Sequence, residues 1–231
     1  MLLSRDEIYK VVCLIVTPST GKCGTGCFIE KDSVPFIVTA SHVKKDILPD
    51  TIIVFGEVNL SNHQATLSSI TVGNWILHPT ADIAAIKLDI NKLDTKFNNR
   101  FFPFSQITSQ PVPISRDREL TVAGFPHGLG TTLTGASKFS PLTFRSYASS
   151  SYLSLPRADN GVLSDFFCLE NPAMGGYSGA PIFDMGYVST PVLTQRYGET
   201  TIWGVVHGTM KDKTGGKIAM ITPGYYLKDI V

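Results

Sequence analysis

Apolar residues fall in short bursts along this chain. The bursts occupy 10–17, 25–30, 36–39, 51–55, 83–88, 120–124, 181–183 and 201–207, and Gly, Pro, Asn or Asp bounds most of them. They are rich in Val, Ile, Thr and Phe, which suit a pleated, half-buried surface. Runs of this length separated by turn residues predict strands. Apolar positions at helical spacing are nearly absent. The expected fold is all-β, a barrel or a sandwich. The tail, 223–231, departs from this pattern. It reads as one short amphipathic helix, with Thr222 as N-cap and Pro223 in the first turn. The stretch 97–118 carries Pro103, Pro111 and Pro113 among polar residues and reads as a connector between two halves, 1–110 and 111–231. A serine-rich stretch, 146–154, continues to Asn160-Gly161 and reads as flexible.

Composition narrows the function classes. The 231 residues are 43% hydrophobic and 17% charged, enough apolar material to fill a core and too much for disorder. A formal net charge of +1 without a long Lys/Arg run gives no nucleic-acid surface. Near the N-terminus Asp6, Glu7 and Lys10 interrupt the apolar residues. The unbroken run from Val11 to Val16 is too short for a membrane span and lacks a signal-peptide layout. No membrane partner is expected, and the location reads as cytoplasmic, with secreted or host-cell action left open. Cys13 and Cys168 lie in apolar runs and read as small buried hydrophobes rather than as a disulfide set. Cys23 and Cys27 have no second ligand pair nearby, so neither a metal nor another cofactor is expected.

Three stretches carry candidate chemistry. An apolar strand runs into TASHV, which contains His42. Asp82 opens the apolar stretch DIAAIKL. Ser178 sits between glycines in GGYSGAPIF. A hydroxyl is a poor nucleophile until a base takes its proton. A neutral imidazole, His42, can accept that proton near neutral pH and return it to a leaving group. A buried carboxylate, Asp82, would hold the ring in the useful tautomer. The backbone N–H groups of Gly176 and Ser178 could then meet the oxyanion, because glycine permits so tight a turn. The Gly-x-Ser-x-Gly elbow of α/β-hydrolases fits poorly: position 180 is Ala, and that fold orders its triad differently.

At these residues the sequence resembles the trypsin/chymotrypsin-like serine peptidases. It is most similar to bacterial and viral members such as the high-temperature-requirement proteases and glutamyl endopeptidases. GTGCFIE, AGFPHGLG and TIWGVVHGT extend the likeness over most of the chain. The resemblance implies two packed six-stranded antiparallel β-barrels and a short C-terminal helix. His42 and Asp82 would come from 1–110, and Ser178 with the specificity pocket from 111–231. It implies a serine endopeptidase working through an acyl-enzyme on a protein or peptide substrate. The alternative is a protease-like binding or regulatory module with little turnover in isolation, and a regulatory protein partner is compatible with both. Val43 follows His42 where secreted animal members have a cysteine, so their histidine-loop disulfide is not expected. Tyr177 replaces their aspartate before the serine, which implies activity without zymogen cleavage.

The resemblance also implies a pocket built from the residues before the serine and from the late strand: Pro172, Ala173, Met174, Val206, His207 and Gly208. Pro172 falls near the place where tryptic enzymes keep an aspartate, so an Arg/Lys preference is not expected. Alternation along the late strand turns Val206 to the pocket and His207 toward Asp82. This favours an apolar or small substrate side chain, with an acidic one read by His207 as the second option. His78, before Pro79, reads as shaping the turn ahead of Asp82, and His127 as a residue of a glycine-rich loop.

Overall fold

The computed structural model describes residues 1–58, 65–71, 73–89, 93, 95–132, 138–189 and 192–231. Its first half holds β1 (Val12–Thr17), β2 (Lys22–Lys31), β3 (Val34–Thr39), β4 (Ile52–Val58), β5 (Ala65–Thr71), β6 (Ile76–Leu77), β7 (Ala84–Lys87) and β8 (Phe102–Pro103), with helix α1 (Ser41–Lys44) after β3. They form a sheet in the order β5-β4-β1-β2-β3-β7-β6, antiparallel except for β8, which lies parallel to β2 off that path. The second half holds β9 (Glu119–Gly124), β10 (Thr131–Thr132), β11 (Lys138–Phe139), β12 (Leu142–Tyr147), β13 (Leu153–Pro156), β14 (Leu163–Leu169), β15 (Pro181–Asp184), β16 (Tyr187–Ser189), β17 (Thr194–Arg196), β18 (Thr201–Lys211) and β19 (Lys217–Pro223). Its main sheet runs β12-β9-β15-β18-β19-β14-β13, with β10–β11 and β16–β17 as separate two-stranded sheets. Among the described residues each main path thus carries seven strands rather than six, and neither closes on itself. The short edge strands β6 and β13 lengthen the paths.

The bursts of apolar residues become strands because each is buried against a partner. β3, with the sequence VPFIVT, pairs with β2 on one side and β7 on the other, and all but its first residue are buried. Such a strand reads as a continuous apolar run rather than an alternating one. In the first half Phe28 sits edge-on to Phe55, Phe97 and Phe101, with ring centroids 5.5, 5.9 and 5.8 Å away. The second half packs Leu120, Val122, Phe167, Ile182, Val206 and Ile221 into its own cluster.

Two local readings change. The tail is a 3₁₀ helix, Gly224–Asp229, and its N-cap is Pro223 rather than Thr222. Pro223 still pairs opposite Gly204, so β19 runs one residue further before the helix begins. The serine-rich stretch holds strand structure rather than a free loop: β13 pairs with β14. Its polar groups serve as backbone partners, since Ser150 Oγ accepts from Cys168 N–H at 2.9 Å and Ser149 N–H donates to the Cys168 carbonyl at 2.8 Å. Among the described residues no helix is long and apolar enough to cross a membrane.

Candidate active site

His42 sits in α1, immediately after the buried end of β3, and Asp82 lies in the turn that feeds β7. β3 and β7 are neighbours, with Thr39 opposite Ala84, so pairing brings the two side chains together from distant places in the chain. His78 shapes the turn. Its Nδ1 accepts the N–H of Ala81 at 2.9 Å, while its Nε2 lies 3.2 Å from Asp229 Oδ2. The C-terminal helix is thereby tied to the segment that presents Asp82.

Asp82 is fully buried. Its Oδ1 accepts Ser41 Oγ at 2.7 Å, the His42 N–H at 2.9 Å and Arg157 Nη2 at 3.0 Å. Its Oδ2 lies 2.7 Å from His42 Nδ1 and 2.5 Å from His207 Nδ1. Burial alone would raise the carboxyl's pKa. The hydrogen bonds and charges of His207 and His42 outweigh burial and hold it well below the usual carboxylate range. An ionised Asp82 fixes the His42 ring with Nδ1–H toward the carboxylate, which leaves the ring proton off Nε2. His42, Asp82 and His207 bring donor atoms within 4.8 Å of one another, but both imidazoles spend Nδ1 on a single carboxylate oxygen. That arrangement is a hydrogen-bond relay rather than a coordination shell.

The serine turn is stitched to the opposite sheet. Thr25 of β2 donates its N–H to the Ser178 carbonyl at 2.8 Å and its hydroxyl to the Gly176 carbonyl at 2.8 Å. The same hydroxyl accepts from Phe125 N–H at 3.0 Å, and Thr39 Oγ1 donates to the Thr25 carbonyl at 2.7 Å. Gly179 N–H bonds the Val206 carbonyl at 2.8 Å. Tyr177 is buried, donates to the Leu142 carbonyl at 3.3 Å and meets Phe144 edge-on. A phenol thus anchors the position before the serine. Ser178 is half-buried, and its Oγ lies 3.4 Å from the His207 carbonyl.

The 175–176 peptide is trans, and its carbonyl accepts the His127 N–H at 2.8 Å. The Gly176 N–H on the other side of that plane therefore points away from His127. Among the described residues neither it nor the Ser178 N–H has an acceptor. Gly176 has φ +95°, and a Cβ there would lie 2.4 Å from the Phe125 carbonyl oxygen. Gly176→Ala is expected to turn this peptide and lower kcat by about 10²–10³, the usual loss of one oxyanion donor. A smaller fall in kcat would show that the peptide keeps its orientation.

Ser178 and His42 share two hollows. The larger, about 450 Å³, is lined by Ala173, Met174, Gly208, Met220 and the edge of His207. The smaller, about 140 Å³, lies toward Lys22, Cys23 and Asp46. Of the residues expected at a pocket, Ala173, Met174, His207 and Gly208 line the larger hollow. Pro172 and Val206 do not: Pro172 is exposed outside the cavity, and Val206 is fully buried in the second core. The reason is a bulge. The β18–β19 pairing jumps from Val206–Ile221 to Gly208–Met220 and skips His207. A bulge breaks the two-residue alternation, so His207 reaches both Asp82 and the cavity rim while Val206 stays in the core.

A family model for the trypsin-like peptidase domain matches residues 24–187, a span that includes His42, Asp82 and Ser178. This chain belongs to that family. Solved structures agree in fold. The Rv3671c protease from M. tuberculosis, in its active form, superposes with a TM-score of 0.59 at 15% identity, over 96% of this chain and 79% of that one. Human heparin binding protein gives 0.60 at 14% identity, over 98% and 91%. At such identities the likeness carries the chymotrypsin-like two-sheet architecture. A search of curated protein sequences returns no match.

Three residues of this trypsin-like domain were not singled out from the sequence. Ser41 adjoins His42, and its neighbourhood was the available signal. Thr25 is a buried threonine inside an otherwise ordinary strand. Arg157 lies in PRADNG, which composition marks as loop. It is nevertheless 5% exposed and reaches Asp82 from the far half of the chain.

Proposed function

We propose that this peptidase is a serine endopeptidase with Ser178 as nucleophile, His42 as general base and acid, and Asp82 as the orienting carboxylate. The observation that carries this reading is the His42 ring, held by Nδ1 on a buried, ionised carboxylate beside a serine whose turn offers two unbonded N–H groups. Ser178 Oγ attacks the scissile carbonyl carbon and gives its proton to His42 Nε2. The carbonyl oxygen, now negative, takes hydrogen bonds from the Gly176 and Ser178 N–H groups. His42 passes the proton to the leaving amine as the C–N bond breaks, leaving an ester on Ser178. Water then adds to that ester through the same base, and Ser178 departs with its proton restored.

The cavity supports an apolar side chain before the cut bond. Its wall carries Ala173, Met174, Met210 and Met220. Thr209 Oγ1 closes on the Ala173 carbonyl. His207 is poorly placed to read an acidic side chain, because Nδ1 is spent on Asp82 and Nε2 accepts the Ala158 N–H at 3.4 Å. A fluorophosphonate probe should label the chain and fail to label Ser178→Ala. A peptide library should show cleavage after apolar residues. Equal labelling of the mutant would refute the nucleophile, and dominant cleavage after Glu would refute the pocket.

A second reading rests on Ser178 Oγ, which lies against the His207 carbonyl rather than the His42 ring. A chain locked that way would be a binding module. The 3.4 Å separation is a weak hold, and catalytic hydrogen bonds are often loose before substrate binds. Turnover by the isolated chain would dismiss the second reading.

A further inference from the structure

The Asp82 carboxylate receives an unusual visitor. Arg157 is fully committed beneath the site, with a side chain 4% exposed. Its Nη1 donates to the carbonyls of Thr80 and Ala81, both at 3.0 Å. Its Nη2 reaches Ser41 Oγ at 2.6 Å, Asp82 Oδ1 at 3.0 Å and Asp159 Oδ2 at 3.0 Å, while Nε donates to Asp159 Oδ1 at 2.9 Å. Asp159 in turn meets Lys45 Nζ at 2.8 Å, and both Asp159 and Ala158 line the larger hollow. Charges therefore alternate from solvent inward: Lys45, Asp159, Arg157, Asp82, and then the two imidazoles.

We propose that Arg157 is a positioning residue that sets the orientation and the effective charge of the Asp82 carboxylate, and through it the working pH of His42. The proposal rests on the triad reading given above. Its geometric part follows from the planar fork of the guanidinium. The fork holds the turn 80–82 by its carbonyls and Oδ1 by a charge-assisted bond, so Oδ2 has one orientation and faces both rings. Its electrostatic part follows from charge proximity. A cation at 3.0 Å from Oδ1 cancels part of the negative field that Asp82 lends to a protonated His42. The other groups around His42 do not duplicate this role. His207 faces it across the ring at 5.5 Å, and Lys22 and Asp46, which pair with each other, lie with Cys23 on the side of the smaller hollow. Lys45 closes the helix that carries His42, and its ammonium pairs with Asp159.

The test is the pH profile of kcat/KM for the wild type and for Arg157→Gln, Arg157→Lys and Asp159→Asn, on one peptide substrate. The His42 ring is followed by NMR in the same three changes made on Ser178→Ala. Arg157→Gln removes the cation, so the acid limb moves to higher pH by about half a unit or more. Asp159→Asn leaves Arg157 facing Asp82 without its second counter-charge, so the limb moves to lower pH. Arg157→Lys keeps the charge and loses the fork. Its limb stays at the wild-type pH, while kcat falls about tenfold with KM nearly unchanged. An acid limb at one pH in all variants, with losses confined to melting temperature or KM, would make Arg157 a structural strut and overturn the proposal. If Arg157→Gln does not fold, a limb moved to lower pH in Asp159→Asn beside an unmoved limb and a lowered kcat in Arg157→Lys still decides it. If the wild type hydrolyses nothing, the endopeptidase reading fails, and the ring titrations on Ser178→Ala still report the Arg157 effect.

Discussion

Replacing Ser178 by Ala is expected to lower kcat/KM by about 10⁵–10⁶, and adding His42→Ala to that variant should cost almost nothing more. Groups that act as one unit lose their joint effect when either is removed, so their penalties do not add. Here the unit is spatial. His42 Nε2 has no proton to accept once the hydroxyl is gone, and Ser178 has no base once the ring is gone. What survives in the double variant is the amide pocket of Gly176 and Ser178 and the apolar cavity, worth about 10³–10⁴ over water in such sites. Steady-state kinetics on the two single variants and the double variant check this. Penalties that multiply would mean that the two side chains act separately.

The second large effect belongs to Asp82→Asn, with an expected fall in kcat of about 10⁴. The amide cannot replace the carboxylate. Donors converge on Asp82 from Ser41, the His42 backbone, Arg157 and two imidazoles, and an amide turns its own donors toward some of them. The His42 ring is then drawn to the wrong tautomer. Stability falls as well, because Arg157 keeps its charge in a buried place with one counter-ion fewer. Breaking a buried pair in this way costs about 3–5 kcal/mol. The pH dependence has a definite sign. Asp82's pKa is lowered in the folded chain, so the stability it contributes is complete above the unfolded carboxylate value of about 4 and fades as pH falls toward the folded value. The gap in melting temperature between wild type and Asp82→Asn should be widest near neutrality and narrow below about pH 4. A gap that stays constant to low pH would show that Asp82 is not held ionised.

Much of the site was legible because its residue types serve chemistry that few other combinations can. A histidine after one apolar strand, an aspartate before another and a serine in a glycine turn each had a bland reading, but together they pointed to one mechanism. The pocket was less legible, because strand parity assumes unbroken pairing. The skipped residue at His207 is invisible in TIWGVVHGT, where every position looks equally fit for a strand. Arg157 was hidden for a different reason. Asp159 lies in the same stretch, but the burial is set by Asp82 and the carbonyls of Thr80 and Ala81 on a distant segment, and nothing in PRADNG distinguishes a buried arginine from a solvated one. Ser150 shows the same limit, since composition reports its polarity but not the strand N–H of Cys168 that satisfies it.

The Ser178 carbonyl is held by the N–H of Thr25, and that threonine belongs to the other sheet. Ser178, the proposed nucleophile, is therefore part of the seam between the halves rather than the property of either. A split of the polypeptide would leave His42 and Asp82 on one fragment and Ser178 with an unsupported turn on the other.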